Sequence, residues 1–217
     1  MKVVAMVPIK LNNQRSPGKN IRPFSDGTPL ITVFLRTLLN VKEIDSIYVF
    51  CSNSEIKEYL IDGVEFLERP KYLDTQEATP QDILSEFTDK ISADIYIAAH
   101  CTSPFVTAEH ISECIQKVEC GEYDSAFTGE RIQKLLWQNG EPMNFQADNV
   151  PRTQDLQLIY AEVSAAYVFK KEVFERLHRR IGLHPYICEV SGIECVDIDY
   201  PEDFELADAI YTNLIKQ

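Results

Sequence analysis

Acidic side chains are absent from the first 25 residues of a chain that is acidic elsewhere. The 217 residues carry a formal net charge of −13, and the first carboxylate is that of Asp26. Five basic residues come before it: Lys2, Lys10, Arg15, Lys19 and Arg22. The apolar run at 3–9 predicts a strand, and α/β proteins commonly bind phosphate just after their first strand. The local charge therefore predicts a phosphate-binding loop, with a merely solvated basic loop as the alternative.

Long apolar runs, a basic face and paired cysteine motifs are also absent. No stretch approaches the ~18 apolar residues that span a bilayer, and the N terminus lacks the apolar core and cleavage site of a signal peptide. The net charge of −13 disfavours nucleic acid and anionic membranes as partners. The six cysteines form no CxxC pair, and the histidines show no zinc-ligand spacing with them. We expect a cytoplasmic protein with reduced thiols.

Strand-like and helix-like segments alternate along most of the chain. β-branched and aromatic runs predict strands at 3–9, 46–51, 94–99, 124–128, 162–170, 186–190 and 194–198. Helical patterns lie at 30–40, 54–60, 79–91, 107–118, 172–180 and 201–214. The alternation predicts one domain over residues 1–217, an α/β fold with a doubly wound, largely parallel, Rossmann-like sheet. Residues 129–158 break the rhythm, and we expect a β-arm there that leaves the sheet and forms a homodimer contact.

Two aspartates near the C terminus, Asp197 and Asp199, are candidate metal ligands. Residues two apart in a strand point to one face, so both carboxylates could hold a hard cation such as Mg²⁺. Helix capping is the alternative, because Asp199 and Glu202 have the spacing of a capping box with Pro201 in the first turn. Capping alone leaves Asp197 without a role.

Two further polar segments are candidate ligand-binding loops. Residues 100–104 follow a predicted strand and read His-Cys-Thr-Ser-Pro. No G-x-S-x-G motif accompanies them, so they favour a ligand-lining or helix-capping loop over a covalent nucleophile. Residues 152–156 read Arg-Thr-Gln-Asp-Leu and, from pattern alone, are the exposed return from the predicted arm. Neither GxxxxGK[ST] nor GxGxxG occurs, so a Walker loop and a dinucleotide fingerprint are excluded.

In this order, the segments resemble those of the cytidylyltransferases that make CMP-activated acidic sugars, the acylneuraminate and related ketosugar CMP synthetases. The first loop of that family reads approximately P-A-R-x-G-S-K-x-x-P-x-K-N, and residues 8–20 match it in register. The family's Q-P-T-S-P, R-x-Q-D-L, N-G-A-x-Y and D-I-D-x-x-x-D segments correspond to residues 100–104, 152–156, 163–167 and 197–203. The resemblance spans nearly the whole chain.

This resemblance implies a fold of the nucleotide-diphosphosugar transferase type. It also implies Mg²⁺-dependent transfer of CMP from CTP to an acidic acceptor, a sialic-acid-like ketosugar or related acid, with release of pyrophosphate. The implied nucleotide-binding residues are Lys10, Asn12, Asn13, Arg15, Lys19, Asn20, Arg69 and Thr79. The implied acceptor-binding residues are His100, Thr102, Ser103, Gln154 and Tyr167. The implied catalytic residues are Lys10, Lys19 and Asp197, with Asp197 and Asp199 as the magnesium ligands.

The chain departs from the family pattern at three places. Lys10 stands for arginine, Asn12 and Asn13 for Gly-Ser, and His100-Cys101 for Gln-Pro. Asparagine tolerates left-handed backbone, so the loop can still turn, and lysine keeps the charge without the bidentate fork of arginine. Three alternative functions are a noncatalytic nucleotide-binding paralogue, CTP-dependent activation of a phosphonate, and a small Asp-x-Asp glycosyltransferase. The glycosyltransferase fits the basic first loop poorly.

Overall fold

A seven-stranded sheet organises the computed structural model, which describes residues 1–13 and 15–216. Its strands are β1 (Val3–Ile9), β2 (Ser46–Cys51), β3 (Val64–Glu68), β4 (Ile95–Ala99), β5 (Ser125–Arg131), β8 (Tyr160–Lys170) and β9 (Pro185–Val190). Their spatial order is β3-β2-β1-β4-β8-β5-β9. Strand β8 runs antiparallel to β4 and β5, whereas the other neighbouring strands are parallel. The predicted mixed α/β fold with a largely parallel sheet is confirmed.

Helices cover both faces of this sheet. They are α1 (Leu30–Leu39), α2 (Pro80–Lys90), α3 (Ala108–Glu119), α4 (Lys171–Leu177) and α5 (Pro201–Ile210). Side chains alternate across a strand, so neighbouring residues of β1 pack in different cores. Val7 packs in the core that contains residues of α1 and α3 on one face of the sheet, and Met6 packs in the core that contains residues of α2 and α4 on the other. Burial on both faces explains the nearly continuous apolar runs of the central strands. Among the described residues, no helix combines the length and the apolar character needed to cross a membrane.

A third, smaller core joins the two ends of the chain. Phe24, which precedes α1, stacks on Phe204 and Tyr211, with ring centroids 5.1 and 4.6 Å apart. Ile198 is fully buried in the same cluster. This packing fixes residues 197–199 against the loop that follows β1, although the two segments are far apart in sequence.

Three sequence-based predictions of secondary structure need correction. Strand β3 was not predicted, because its half-exposed residues and two glutamates hide the apolar pattern. The strand predicted at 194–198 is wrong: Gly192–Cys195 is a 3₁₀ helix, and Ile198 packs in the small core instead of extending the sheet. The helix predicted at 201–214 is α-helical only as far as Ile210 and continues as a π-helical turn, Tyr211–Ile215.

Residues 132–158 leave the sheet; the excursion predicted at 129–158 starts later, because residues 129–131 still belong to β5. Within them, β6 (Trp137–Gln138) and β7 (Glu141–Pro142) form a two-stranded ladder. The turn between them places Asn139 and Gly140 at φ 53° and 86°, which asparagine and glycine adopt readily in a tight hairpin. Trp137 is 60% exposed and contacts Phe145 edge-on. The arm is therefore present, with apolar side chains on its surface.

Candidate active site

The loop between β1 and α1, here called the first loop, is folded back on itself at the carboxyl edge of the sheet. The Gly18 N–H donates to the Leu11 carbonyl at 3.2 Å, and the φ of Gly18 is 70°, a conformation that glycine adopts without steric cost. The amide of Asn20 donates to the Lys10 carbonyl at 3.0 Å and accepts from the Cys101 thiol at 3.5 Å. Asn20 thus connects the first loop to the loop after β4.

Three cavities that share lining residues lie around these loops. The central cavity, about 320 Å³, is lined by both lysines of the first loop, Lys10 and Lys19, and by His100. Asn13, Asn20, Arg69 and Thr102 complete the predicted residues that line it. A second cavity of about 330 Å³ adds Arg15, and a wider one of about 830 Å³ adds Asn12. The structure therefore brings most of the predicted nucleotide-binding residues together.

Lys19 joins the first loop to the acidic segment at residues 197–199. Its side chain is only 7% exposed, and its Nζ donates to the Ile198 carbonyl at 2.5 Å and lies 3.1 Å from Asp199 Oδ1. Arg15 Nη1 lies 2.7 Å from the other carboxylate oxygen of Asp199. A buried ammonium is costly without partners, and these two oxygens supply them. Lysine has three N–H donors, so one is left for a ligand in the cavities that Lys19 lines.

Asp197 and Asp199 lie outside any strand, between a 3₁₀ helix and α5, which corrects the geometry on which the metal hypothesis was based. The capping alternative is also wrong, because Asp203 accepts the N–H groups of Asp199 and Tyr200 at 2.9 and 2.8 Å at the start of α5. Asp197 is exposed, and no described residue hydrogen-bonds or ion-pairs with its carboxylate. Mg²⁺ is usually held by one or two carboxylates together with substrate phosphates, so this donor set fits the ion.

Arg69 lines the central cavity close to the end of β2. It is 3% exposed and donates to Asp74, which also accepts from the hydroxyl of Ser52. Its Nε is buried without a hydrogen-bond partner among the described residues, which costs about 1–3 kcal/mol. An oxygen of a bound ligand would satisfy this donor. Thr79 is different, since it is exposed and its hydroxyl caps α2 through Asp82; the structure does not bring it to the cavities.

His100 lines the central cavity and contacts Tyr167, which is not among the residues that line it. The His100 N–H donates to the Ala165 carbonyl of β8 at 3.0 Å, and the two rings contact edge-on with centroids 6.1 Å apart. The Tyr167 hydroxyl donates to Glu162 at 2.7 Å. Burial, together with the charge of Arg180, lowers the pKa of His100 to about 4. The imidazole is therefore neutral at physiological pH.

Arg180 is the site residue that sequence reasoning missed. Its guanidinium lies over the Tyr167 ring, 3.4 Å from the centroid, and its Nη1 is 3.4 Å from His100 Nε2. The side chain is 23% exposed, and the carboxylate of Glu162 lies 4.0 Å away. Helix α4 ends at Leu177. The next residue, His178, has a φ of 51°, and the chain then turns back toward the sheet. The sequence shows only a pair of arginines at a helix end, which is an ordinary C-terminal pattern.

The other predicted acceptor residues occupy different environments. Thr102 lines the central cavity, and its carbonyl accepts the Ile198 N–H at 2.8 Å. Ser103 is fully buried, and its hydroxyl has no partner in the described parts of the chain. Gln154 lies exposed in a 3₁₀ helix of the arm. The structure does not bring these last two to the cavity.

The thiol of Cys101, the residue after His100, is unreactive. Burial raises the pKa of Cys101 to about 12, so the group stays protonated and donates to Asn20. A thiolate is the reactive form of cysteine. Of residues 100–104, three (His100, Cys101 and Thr102) line the central cavity, and the expectation that this loop forms no covalent intermediate stays a prediction.

Known proteins resemble this chain along almost its whole length. It is 26% identical over 216 residues to N-acylneuraminate cytidylyltransferase A of Danio rerio, covering 95% of this chain and 50% of that protein. It is 24% identical over 223 residues to a protein of Helicobacter pylori (strain ATCC 700392 / 26695). This match covers 96% of this chain and 42% of that protein. That protein is a pseudaminic acid cytidylyltransferase and UDP-2,4-diacetamido-2,4,6-trideoxy-beta-L-altropyranose hydrolase. The chain therefore spans about half the length, or less, of these curated relatives.

A solved structure shows a similar fold, and a family model matches nearly the whole chain. The fold is similar to that of a CMP:2-keto-3-deoxy-manno-octonic acid synthetase complexed with CTP, with a TM-score of 0.75 and 17% identity over 98% of this chain and 99% of the other. At this identity the likeness establishes the fold. The family model described as cytidylyltransferase matches residues 4–216, and the chain therefore belongs to the cytidylyltransferase family.

Proposed function

We propose that this protein transfers CMP from CTP to a small acidic acceptor, a sialic-acid-like ketosugar or related acid, and releases pyrophosphate. The observation that carries the proposal is the central cavity of about 320 Å³, which Lys10, Lys19 and His100 line together. His100 in turn contacts Tyr167 and Arg180. Family membership supports the use of CTP.

The chemistry needs alignment and charge neutralisation. A hydroxyl oxygen of the acceptor attacks the α-phosphorus of CTP, the bond to the β-phosphate oxygen breaks, and the hydroxyl proton passes to solvent. Such reactions are accelerated mostly by positioning and by cations on the phosphates. Lys10 and Lys19 would neutralise the triphosphate with help from Arg15, each close pair contributing about 1–4 kcal/mol. A magnesium ion held by Asp197 and Asp199 would supply further neutralisation when bound.

Arg180 is the group that would recognise an acidic acceptor. A guanidinium that is mostly withdrawn from water favours an anionic partner, yet the Glu162 carboxylate is 4.0 Å away and also accepts the Tyr167 hydroxyl. A carboxylate can accept two parallel hydrogen bonds from arginine. Neutral His100 can accept from a sugar hydroxyl or donate to one, depending on its tautomer. A phosphonate would satisfy Arg180 as well.

The arm would mediate a homodimer. It exposes Trp137, Met143, Val150 and Leu158, and a second copy of the arm would cover these side chains. All six cysteines are free thiols, which is compatible with the proposed cytoplasmic location. Light scattering at micromolar concentration should give twice the mass of the chain, and a monomer would exclude the dimer.

Pyrophosphate release with a panel of acceptors tests the proposed reaction. The purified protein is incubated with CTP, Mg²⁺ and acidic ketosugars or phosphonates, with UTP, ATP and GTP as matched controls. We expect pyrophosphate only when CTP and an acidic acceptor are both present, and most strongly with a ketosugar acid. Strong release with a phosphonate alone would assign the alternative acceptor. Nucleotide binding without turnover for any acceptor would indicate the noncatalytic paralogue.

A further inference from the structure

A cluster of mixed side chains lies between helix α3 and the edge strand β9. Helix α3 carries His110, Glu113 and Cys114, which occupy positions i, i+3 and i+4 and therefore share one face. Strand β9 carries Cys188, whose thiol donates to Glu113 Oε2 at 3.6 Å. One donor atom each from His110, Glu113 and Cys188 lie within 4.8 Å of one another. Cys114 lies outside this group of three but is buried in the same core cluster as Cys188.

A second layer of hydrogen bonds orients these side chains. The Nδ1 of His110 lies 2.7 Å from Glu194, which is itself buried. The Tyr186 hydroxyl donates to Glu113 Oε1 at 2.5 Å. Metal-binding histidines almost always bond through their second nitrogen to a carboxylate or carbonyl, and ligating carboxylates are likewise hydrogen-bonded. Both arrangements occur here around candidate ligands.

We propose that His110, Glu113, Cys114 and Cys188 bind one zinc ion that fastens α3 to β9. Thiolate and imidazole ligands select zinc over magnesium, which prefers oxygen. A tetrahedral zinc site places its ligand atoms about 3.5 Å apart, so the atoms of His110, Glu113 and Cys188 would close by about 1.3 Å at most and Cys114 would move in as the fourth ligand. Binding releases the two thiol protons to solvent, and no oxidant or reductant is involved. The ligands come from segments 78 residues apart, which explains why sequence spacing did not indicate zinc.

This site is separate from the nucleotide-binding region. None of the four ligands lines the central cavity or the two cavities beside it. His110 and Glu113 are only partly buried, so the ion can reach the cluster from solvent. The ion would be structural, and its presence or absence is measurable without any assay of turnover.

Zinc affinity of the metal-free, full-length protein tests the proposal. Competition against a chromophoric chelator should give one tightly bound zinc per chain, with a Kd of about 1 µM or tighter. Cobalt should bind in its place with the absorption of a tetrahedral thiolate complex. Since losing a residue behind a ligand costs about 10–100-fold in affinity, Cys188→Ser should lose at least about 100-fold. Cys120→Ser, which removes an exposed thiol at the end of the same helix, should bind as the wild type does.

Two further variants test the zinc site in case Cys188→Ser does not fold. His110→Gln changes a partly exposed residue in the first turns of α3, so it should fold even if Cys188→Ser does not, and it should also lose the tight site. Asp197→Asn should retain it. Equal zinc affinity in the wild type and His110→Gln would overturn the proposal, and so would loss of the tight ion in Asp197→Asn alone.

Discussion

Two groups of cations near the central cavity, Lys19 with Arg15 and Arg180 alone, differ in how they are compensated. In the first loop, Lys19 and Arg15 already share Asp199, at 3.1 and 2.7 Å. Arg180, which contacts the cavity residue His100, lies on the Tyr167 ring, and the carboxylate of Glu162 is 4.0 Å away. The first loop therefore holds its charges in place before a ligand arrives, whereas among the described residues Arg180 has only this long ion pair. Under the proposed function, the first-loop cations would neutralise the phosphates and Arg180 would recognise the acidic acceptor.

The largest expected effect comes from Lys19→Ala. The change removes an ammonium next to the phosphates, and loss of such a stabilising group typically costs about 10²- to 10³-fold in rate. Pyrophosphate release at saturating CTP and acceptor measures it, and circular dichroism checks the fold. Lys42→Ala, at an exposed position, is the matched control. A loss smaller than about threefold would make Lys19 a purely structural link between the two chain ends.

Asp197→Asn tests whether Asp197 binds the metal ion or only stabilises the fold. Because Asp197 is exposed and has no partner among the described residues, the melting temperature should hardly change. Activity should fall by about 100-fold and the Mg²⁺ concentration for half activity should rise, since an amide is a poor ligand for this ion. Asp199→Asn should lower both activity and stability, because it also weakens the pairs with Arg15 and Lys19. Normal turnover of both variants at limiting Mg²⁺ would remove the metal assignment.

Arg180→Ala tests the proposed recognition of the acidic acceptor. Hydrogen bonds to charged groups contribute about 1.5–3 kcal/mol, so the KM for the acceptor should rise about 10- to 100-fold. The KM for CTP should stay the same, because Arg180 contacts His100 and Tyr167 and lines none of the three cavities that the first loop lines. Arg179→Ala is the matched control: Arg179 is adjacent and exposed, and it donates to the Gly182 carbonyl. Equal increases in both KM values for Arg180→Ala would show general disruption of the site.

His100→Gln should change preference among acceptors more than overall rate. Glutamine offers one donor group and one acceptor group at fixed positions, whereas the shorter imidazole offers one of each on a ring. We expect a several-fold shift toward the common acidic ketosugars with nearly unchanged CTP affinity. Acceptor profiles of the two proteins at saturating CTP decide the matter. Identical profiles would place His100 outside the acceptor pocket.

The smallest expected effect is a pH dependence of stability. Burial and the charge of Arg180 lower the pKa of His100 to about 4 in the folded chain, against about 6.5 when unfolded. Between these values the unfolded chain binds a proton that the folded chain does not, so stability decreases as the pH falls from about 6.5 to 4. Urea midpoints of the wild type should show this decrease more steeply than those of His100→Gln. Parallel pH profiles would mean that His100 does not contribute.

Local patterns predicted the fold well where strands are buried on both faces. Strands β1 and β2 begin and end at the predicted residues, because continuous apolar runs mark them clearly. The error at 194–198 has a long-range cause: Ile198 packs with Phe24 and Phe204 from distant segments. A sequence pattern cannot distinguish that partner from a sheet.

In the site, too, local motifs indicated some residues, whereas others depend on long-range folding of the chain. Loop motifs indicated Lys10, Lys19 and His100, and the structure brings all three to one cavity. Arg180 reaches His100 and Tyr167 because the chain turns back after the left-handed residue His178. Gln154 is the opposite case: its motif is recognisable, but it lies on the exposed arm and lines none of the three cavities, so its role in acceptor binding stays a prediction.

Phosphorus NMR of one reaction mixture tests the central claim most directly. The protein is mixed with CTP, Mg²⁺ and a ketosugar acid that carries ¹⁸O in its attacking hydroxyl. Our account predicts equal amounts of pyrophosphate and a new CMP diester, with ¹⁸O bonded to the phosphorus of the diester and no product with Lys19→Ala. Hydrolysis of CTP to CDP and phosphate, or intact CTP with every acidic acceptor, would contradict it.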